Sequence, residues 1–300
     1  VKRCIFTIFL IVLVCANGCK KKDETATSGH RLLLTADPYL PLMQQEADQF
    51  MSIYPEVKMT LRSTSTREAI VLLLNDSVRS IVIDRQFNEE ERQIIQQAAI
   101  RIVENKIAED GIAMVVHKQN PISNIQTESV RKIVAGEVKD WSRISESRWS
   151  GDIDLVLTGK NSGMYELLQK KIFSISKELE LTTLMPNQGE VVKYVSTHPR
   201  SVGYVASSLV NDDTESIKVV PVVVKSPEGI EKSYVPRQQE IYDGLYPFHY
   251  SLYLYNAEAK ASVGIGFSAQ VLSNIGQKII QKAGLVPASI PYRIIQLNAE

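Results

Sequence analysis

One stretch constrains the fold more than any other: Asp110–Trp141, DGIAMVVHKQNPISNIQTESVRKIVAGEVKDW. Its apolar run Ile112–Val116 is short and contains two valines, which suits a buried strand better than a helix. The polar, proline-containing segment Lys118–Asn124 then turns the chain. Thr127 stands where a helix N-cap is expected, and Val130, Ile133 and Val134 follow at helical spacing. Gly136 sits where a helix ends. A strand, a turn and a short helix in this order form the unit of an α/β fold.

The rest of the chain repeats the alternation. Strands are expected at Arg31–Leu34, Val57–Leu61, Ser80–Ile83, Ile153–Leu157, Ser201–Val205, Ile217–Val224, Tyr250–Tyr255 and Tyr292–Leu297. Helices are expected at Leu42–Ile53, from Ser63–Thr66 through Leu74, after Asn88, and at Gly163–Ile172, Gln188–Ser196 and Ala261–Ala283. Asn88 followed by Glu89, Glu90 and Glu91 carries an N-cap, charges that favour the helix dipole, and a glutamate at capping-box spacing. Pro227–Pro236 reads as a polar hairpin or loop. Strands alternating with helices predict an α/β protein with parallel-rich sheets. Three hundred residues exceed a comfortable single core, so two lobes are expected.

Charge and motif content exclude several function classes. Lys and Arg balance Asp and Glu at 34 each, and no basic face stands out, which gives nucleic-acid binding no electrostatic support. There is no P-loop, GxGxxG or HExxH sequence. The nearest approach to a nucleophile elbow, Gly266–Gln270, lacks its final glycine and lies in a helical pattern. His30, His117, His198 and His249 are scattered without ligand spacing, so no metal site is expected. Nothing implies catalysis or a cofactor.

The N-terminus has export character. Lys2 and Arg3 precede the apolar run Ile5–Val14, which is too short to span a bilayer comfortably. Ala16–Cys19 then resembles a bacterial lipobox, in which the cysteine is lipidated. Residues 1–18 are therefore expected to be a lipoprotein signal peptide, Cys19 the lipidation site, and 19–29 a flexible tether. Cys4, Cys15 and Cys19 are the three cysteines, so processing would leave no thiol for a disulfide.

Three βα turns could serve a ligand, Thr35–Pro38, Ser63–Thr66 and Asn161–Gly163, and Asp84 with Arg85 directly follows its strand. Ligands of open α/β sheets bind at such carboxyl ends of strands. The wording of Asp110–Trp141 resembles the crossover segment of PstS-type phosphate-binding proteins, the solute receptors of phosphate ABC importers. Tyr54 and Pro55, Asp84 and Arg85, Asn161, Ser162 and Gly163, and HPRSVGYV at His198–Val205 follow that family's order.

The resemblance implies a two-lobe type II periplasmic-binding-protein fold with a ligand cleft. Lobe 1 would comprise residues 30–115 plus 240–300, and lobe 2 would comprise 116–239. It further implies a monomer facing the periplasm or cell surface, held by its lipid, that binds inorganic phosphate for an ABC permease. The implied ligand-binding residues are Asp37, Ser65, Thr66, Asp84, Arg85, Asn161, Ser162 and Gly163. Arg85 would supply charge, the hydroxyls would supply donors, and Asp84 would accept a ligand proton. Adjacent strand residues point oppositely, so which of Asp84 and Arg85 faces the cleft stays open.

Three departures from the family pattern matter. Met164 replaces the usual threonine of the Ser-Gly-Thr turn, Thr158 stands near a usual arginine, and Asp37 would repel a fully ionised anion. These departures leave an alternative, a non-transport sensor or scaffold lipoprotein with a degenerate site.

Overall fold

The computed structural model of the chain describes residues 24–210, 216–226, 229–258 and 260–289. In chain order the strands are β1 (Gly29–Ala36), β2 (Val57–Thr64), β3 (Ser80–Ile83), β4 (Ile102–His117), β5 (Ile125–Gln126), β6 (Asp154–Thr158), β7 (Thr183–Met185), β8 (Ser201–Ala206), β9 (Ile217–Val219), β10 (Val222–Lys225), β11 (Glu231–Tyr234), β12 (His249–Ala257) and β13 (Val286–Pro287). The helices are α1 (Leu40–Ile53), α2 (Thr66–Leu74), α3 (Glu89–Gln97), α4 (Thr127–Val134), α5 (Gly163–Glu166), α6 (Gln188–Val195), α7 (Gln238–Tyr242), α8 (Val263–Val271) and α9 (Asn274–Lys282).

The fold is α/β with two lobes, and the long strand β4 joins them. Its first part, from Ile102, pairs with β12, and its last part, Ile112–Val116, pairs with β8. The strand order is β2-β1-β3-β12-β4-β8-β6-β7. On the first side β1 runs parallel to β2 and β3, and on the second β6 runs parallel to β7 and β8. Apolar side chains from both sides, among them Leu33, Phe50, Trp141, Tyr204, Leu252 and Phe267, form one buried cluster. Smaller clusters lie under α2 and α6.

The changeover in β4 is fixed by two adjacent residues. Gly111 has no room for a side chain: a Cβ would stand 2.7 Å from Pro236 Cβ and 3.0 Å from Ile241 Cδ1. The buried Asp110 carboxylate accepts bonds from Gly111 N (2.7 Å), Ser207 Oγ (2.6 Å), Ser208 N (3.2 Å), Ser208 Oγ (2.5 Å) and Tyr39 OH (3.1 Å). Tyr39 in turn bonds Tyr250 on β12. Asp110 thus ties three segments to the crossing strand: the lead-in to α1, β12, and the exit from β8. Burial raises the pKa of its carboxyl against these donors.

Several sequence expectations need correction. The helix expected over Ala261–Ala283 is two helices, because Ser273 caps a new one by accepting a bond from Gly276 N. Thr127 is the first residue of α4 rather than its N-cap, and its hydroxyl donates to Val223 O instead. The strand expected over Ile217–Val224 is split into β9 and β10. Gly163–Ile172 begins as α5 and continues as a π-helical turn over Leu167–Ile172.

Residues 24–29 do not behave as a tether. Glu24 pairs with Arg31 and accepts a bond from Val263 N, which fastens this segment to the lobe. The signal segment expected at 1–18, the lipidation site expected at Cys19 and the strand expected at Tyr292–Leu297 lie outside the described residues. No described helix is long and apolar enough to cross a membrane. The Asn88 capping box is present with both of its bonds, and Gly136 ends α4 at φ 68°.

Candidate functional site

Four strands bring their carboxyl ends to one cavity of about 580 Å³ between the lobes. From the first lobe, β1 delivers Asp37 and β2 delivers Ser63–Thr66. From the second, β6 delivers Thr158–Gly163 and β7 delivers Leu184–Gln188. Converging strand ends at a change of topology are where ligands of open α/β sheets bind. Asp37, Ser65, Thr66, Asn161, Ser162 and Gly163, six of the eight residues expected from sequence, line this cavity.

The hydroxyls hold their positions through local bonds. Ser65 is the N-cap of α2 and accepts Glu68 N at 3.3 Å. Ser162 caps α5, accepting Tyr165 N at 3.2 Å and the Thr158 hydroxyl at 2.7 Å. Those two bonds occupy the Ser162 oxygen and leave its own hydrogen available to a ligand. Asn161 works through its backbone: its carbonyl accepts Arg67 N at 3.1 Å, a bond between the lobes.

Asp84 sits directly behind this lining. It is 1% exposed, and its Oδ1 accepts the Thr66 hydroxyl at 2.6 Å. It packs against Gly163 so closely that a Cβ there would lie 1.7 Å from Asp84 Oδ1. Only glycine fits at 163. Burial raises the Asp84 pKa to about 6, and the Thr66 hydroxyl and Arg85 act against that rise.

Arg85 points elsewhere. Its Nη1 and Nη2 each lie 2.8 Å from a Glu91 oxygen, and Nε lies 2.7 Å from Glu166 of the second lobe. It lines a neighbouring cavity with Glu91 and Glu166, not the one that holds Ser162. The pair is therefore divided: Asp84 faces the cleft, and Arg85 joins the lobes at its flank. The expectation that Arg85 supplies charge to the ligand fails because strand alternation turns it into these two carboxylates.

Asp37 also bridges the lobes. Its Oδ2 accepts Gln188 N, the first N–H of α6, at 2.9 Å, and burial raises its pKa. Gln188 completes the contact by accepting Ala206 N at 2.6 Å through its side-chain oxygen. Sequence reasoning missed Gln188, Glu166 and Asp110 as interlobe residues. Gln188 could have been suspected from its place at the start of a helix after β7, but nothing local to Glu166 or Asp110 announces a partner so distant in sequence.

A profile of the PBP superfamily domain matches residues 21–274 of the chain. The chain belongs to the PBP superfamily. Among curated relatives of this superfamily member, the phosphate-binding protein PstS of Pseudomonas aeruginosa is 24% identical, over 89% of this chain and 85% of its own. Protein SphX of Synechococcus elongatus is 23% identical, over 87% of this chain and 79% of its own. A Clostridium perfringens structure described as a phosphate ABC transporter substrate-binding protein with bound phosphate superimposes at TM-score 0.72. It has 20% identity and covers 87% of this chain and all of that one. An ABC-type phosphate transport receptor from Vibrio cholerae gives TM-score 0.67 at 18% identity, over 85% and 99% of the two chains. The PstS-like resemblance carried by Asp110–Trp141 and the ordered turns is thus matched over nearly the whole described chain.

Proposed function

We propose that this chain is the phosphate receptor of an ABC importer and binds inorganic phosphate non-catalytically between its lobes. The observation that carries the reading is the convergence of Thr66, Ser162 and Gly163 in one interlobe cavity, backed by the buried Asp84. Ser162 and the turn N–H groups offer donors to an oxyanion. The carboxylate side of the cavity accepts a proton that phosphate carries at neutral pH and sulfate lacks. Contacts through Arg67 N, Arg85 and Asp37 join the two lobes around this cavity, an arrangement suited to hinge closure on a ligand. The ligand set is Asp37, Ser65, Thr66, Asp84, Asn161, Ser162 and Gly163, with lobe boundaries near residues 115 and 240. In the same reading Cys19 carries a lipid after removal of residues 1–18, and the protein works as a periplasm-facing or surface-facing monomer that delivers its ligand to a permease.

Thermal unfolding of the purified chain, freed of ligand, against phosphate, sulfate and buffer alone tests this. A ligand that prefers the folded state adds about 2.7 kcal/mol of stability at a hundredfold excess over its dissociation constant. A rise in midpoint with phosphate, absent with sulfate and lost in Ser162→Ala, is expected. No rise with either anion would leave the chain a sensor or scaffold with a degenerate cleft.

A further inference from the structure

We infer, building on the phosphate-receptor reading, that the cleft selects the singly charged, doubly protonated oxyanion, dihydrogen phosphate, over the dianion. The ground is the kind of hydrogen-bonding group the cavity presents. The Thr66 hydroxyl gives its hydrogen to Asp84 Oδ1 at 2.6 Å, so toward a ligand it can only accept. Asp37 commits Oδ2 to Gln188 N at 2.9 Å and, as a carboxylate, also has only acceptor positions to offer. Two acceptors, one just after β1 and one at the start of α2, are matched by two P–OH donors. A monohydrogen dianion can satisfy one of them and a fully ionised oxyanion neither, and an unmatched acceptor facing an anionic oxygen is repelled.

The charges around the site point the same way. Among the described residues, no Lys, Arg or His side chain lines the cavity. Arg85, the cation adjacent to Asp84, is held by Glu91 and Glu166. Lys160, on the loop after β6, is exposed and pairs with Glu178. From α2, Arg67 faces the neighbouring cavity, while Glu68 takes the Thr64 hydroxyl. Behind Asp84, the buried phenols of Tyr39 and Tyr250 feel its charge and add none of their own. A ligand with two negative charges would therefore meet two carboxylates without a dedicated counter-ion.

The test is isothermal titration of inorganic phosphate into the ligand-free full chain, in detergent, from pH 5.5 to pH 8.5, with the wild type and Asp37→Asn compared. Above the second ionisation of phosphate, near neutrality, the monoanion fraction falls with pH. The dissociation constant for total phosphate should then rise about tenfold per pH unit in the wild type. In Asp37→Asn the amide oxygen can keep the Gln188 bond and turn its N–H donors to the ligand. Its binding at pH 8.5 should be about tenfold tighter than that of the wild type, and at pH 5.5 it should be weaker, because one P–OH of the monoanion loses its acceptor. Phosphate binding that is flat with pH, or tighter at high pH, overturns the selectivity while leaving the receptor intact. No binding at any pH overturns the receptor reading as well.

Discussion

Two buried aspartates on the same face of the sheet divide structure from function. Asp110 at the crossing strand accepts five hydrogen bonds, from Gly111, both groups of Ser208, Ser207 and Tyr39. Asp84, at the end of β3, accepts a single side-chain bond, from Thr66, and rests on the bare backbone of Gly163. Both lose hydration, and burial raises both pKa values. A carboxylate with its acceptor capacity filled is a fixed joint. One with a single side-chain partner, directly behind the lining of an interlobe cavity, acts on a ligand there through Thr66 and the backbone of Gly163.

The comparison breaks most visibly in stability. Asp110→Ala strands several buried donors at once and should lose about 3 kcal/mol or more in urea unfolding, since each unsatisfied buried group costs roughly 1–3 kcal/mol. Asp84→Asn should be close to neutral or stabilising at pH 7, because it removes a poorly compensated buried charge. Equal losses in the two variants would mean that the two carboxylates do not differ in how they are compensated.

The same pair separates by pH. The folded-state pKa of Asp84, about 6, exceeds its ordinary value of 3.8, so between these limits the native state holds the extra proton. Stability from this group is therefore present at low pH and is lost as pH rises from about 4 to about 6. The upper bound is about 3 kcal/mol for a shift of this size. Subtracting the Asp84→Asn profile from the wild type isolates that loss from those of Asp37 and Glu46, whose pKa values are raised in the same direction. A difference that is flat over this range would mean that Asp84 is better solvated than its burial implies.

Binding sharpens the contrast on the cleft side. Gly163→Ala drives a methyl into Asp84 and should weaken phosphate affinity at least tenfold, about 1.4 kcal/mol, as read by titration calorimetry. Arg85→Ala is the smallest expected effect on binding, below about threefold, because its guanidinium serves Glu91 and Glu166. A loss as large as that of Gly163→Ala would return Arg85 to the ligand.

Much of this layout was legible in the sequence, for local reasons. The Asn88 box, the Ser65 and Ser162 caps and Gly136 are signals read within four residues, and the α/β alternation follows from periodicity. The site turns could be found because each ends a strand and starts a helix. The direction of Arg85 could not be read, since it depends on Glu91 and Glu166 meeting it in three dimensions. The split at Ser273 was hidden because serine inside an apolar helical pattern reads as a tolerated residue until its side chain is seen capping a new turn. The role of Asp110, the most heavily bonded carboxylate at the joint, could not be read locally because its partners lie up to 98 positions away.

The most direct measurement is a crystal soaked with arsenate, the heavier isostere of phosphate, with its anomalous scattering mapped. One tetrahedral site is expected between the lobes, within hydrogen-bonding reach of Ser162 Oγ, the Thr66 hydroxyl and the Gly163 backbone. An ordered arsenate beside Arg85 in the flanking cavity, or an interlobe cavity left unchanged at saturating arsenate, would contradict it.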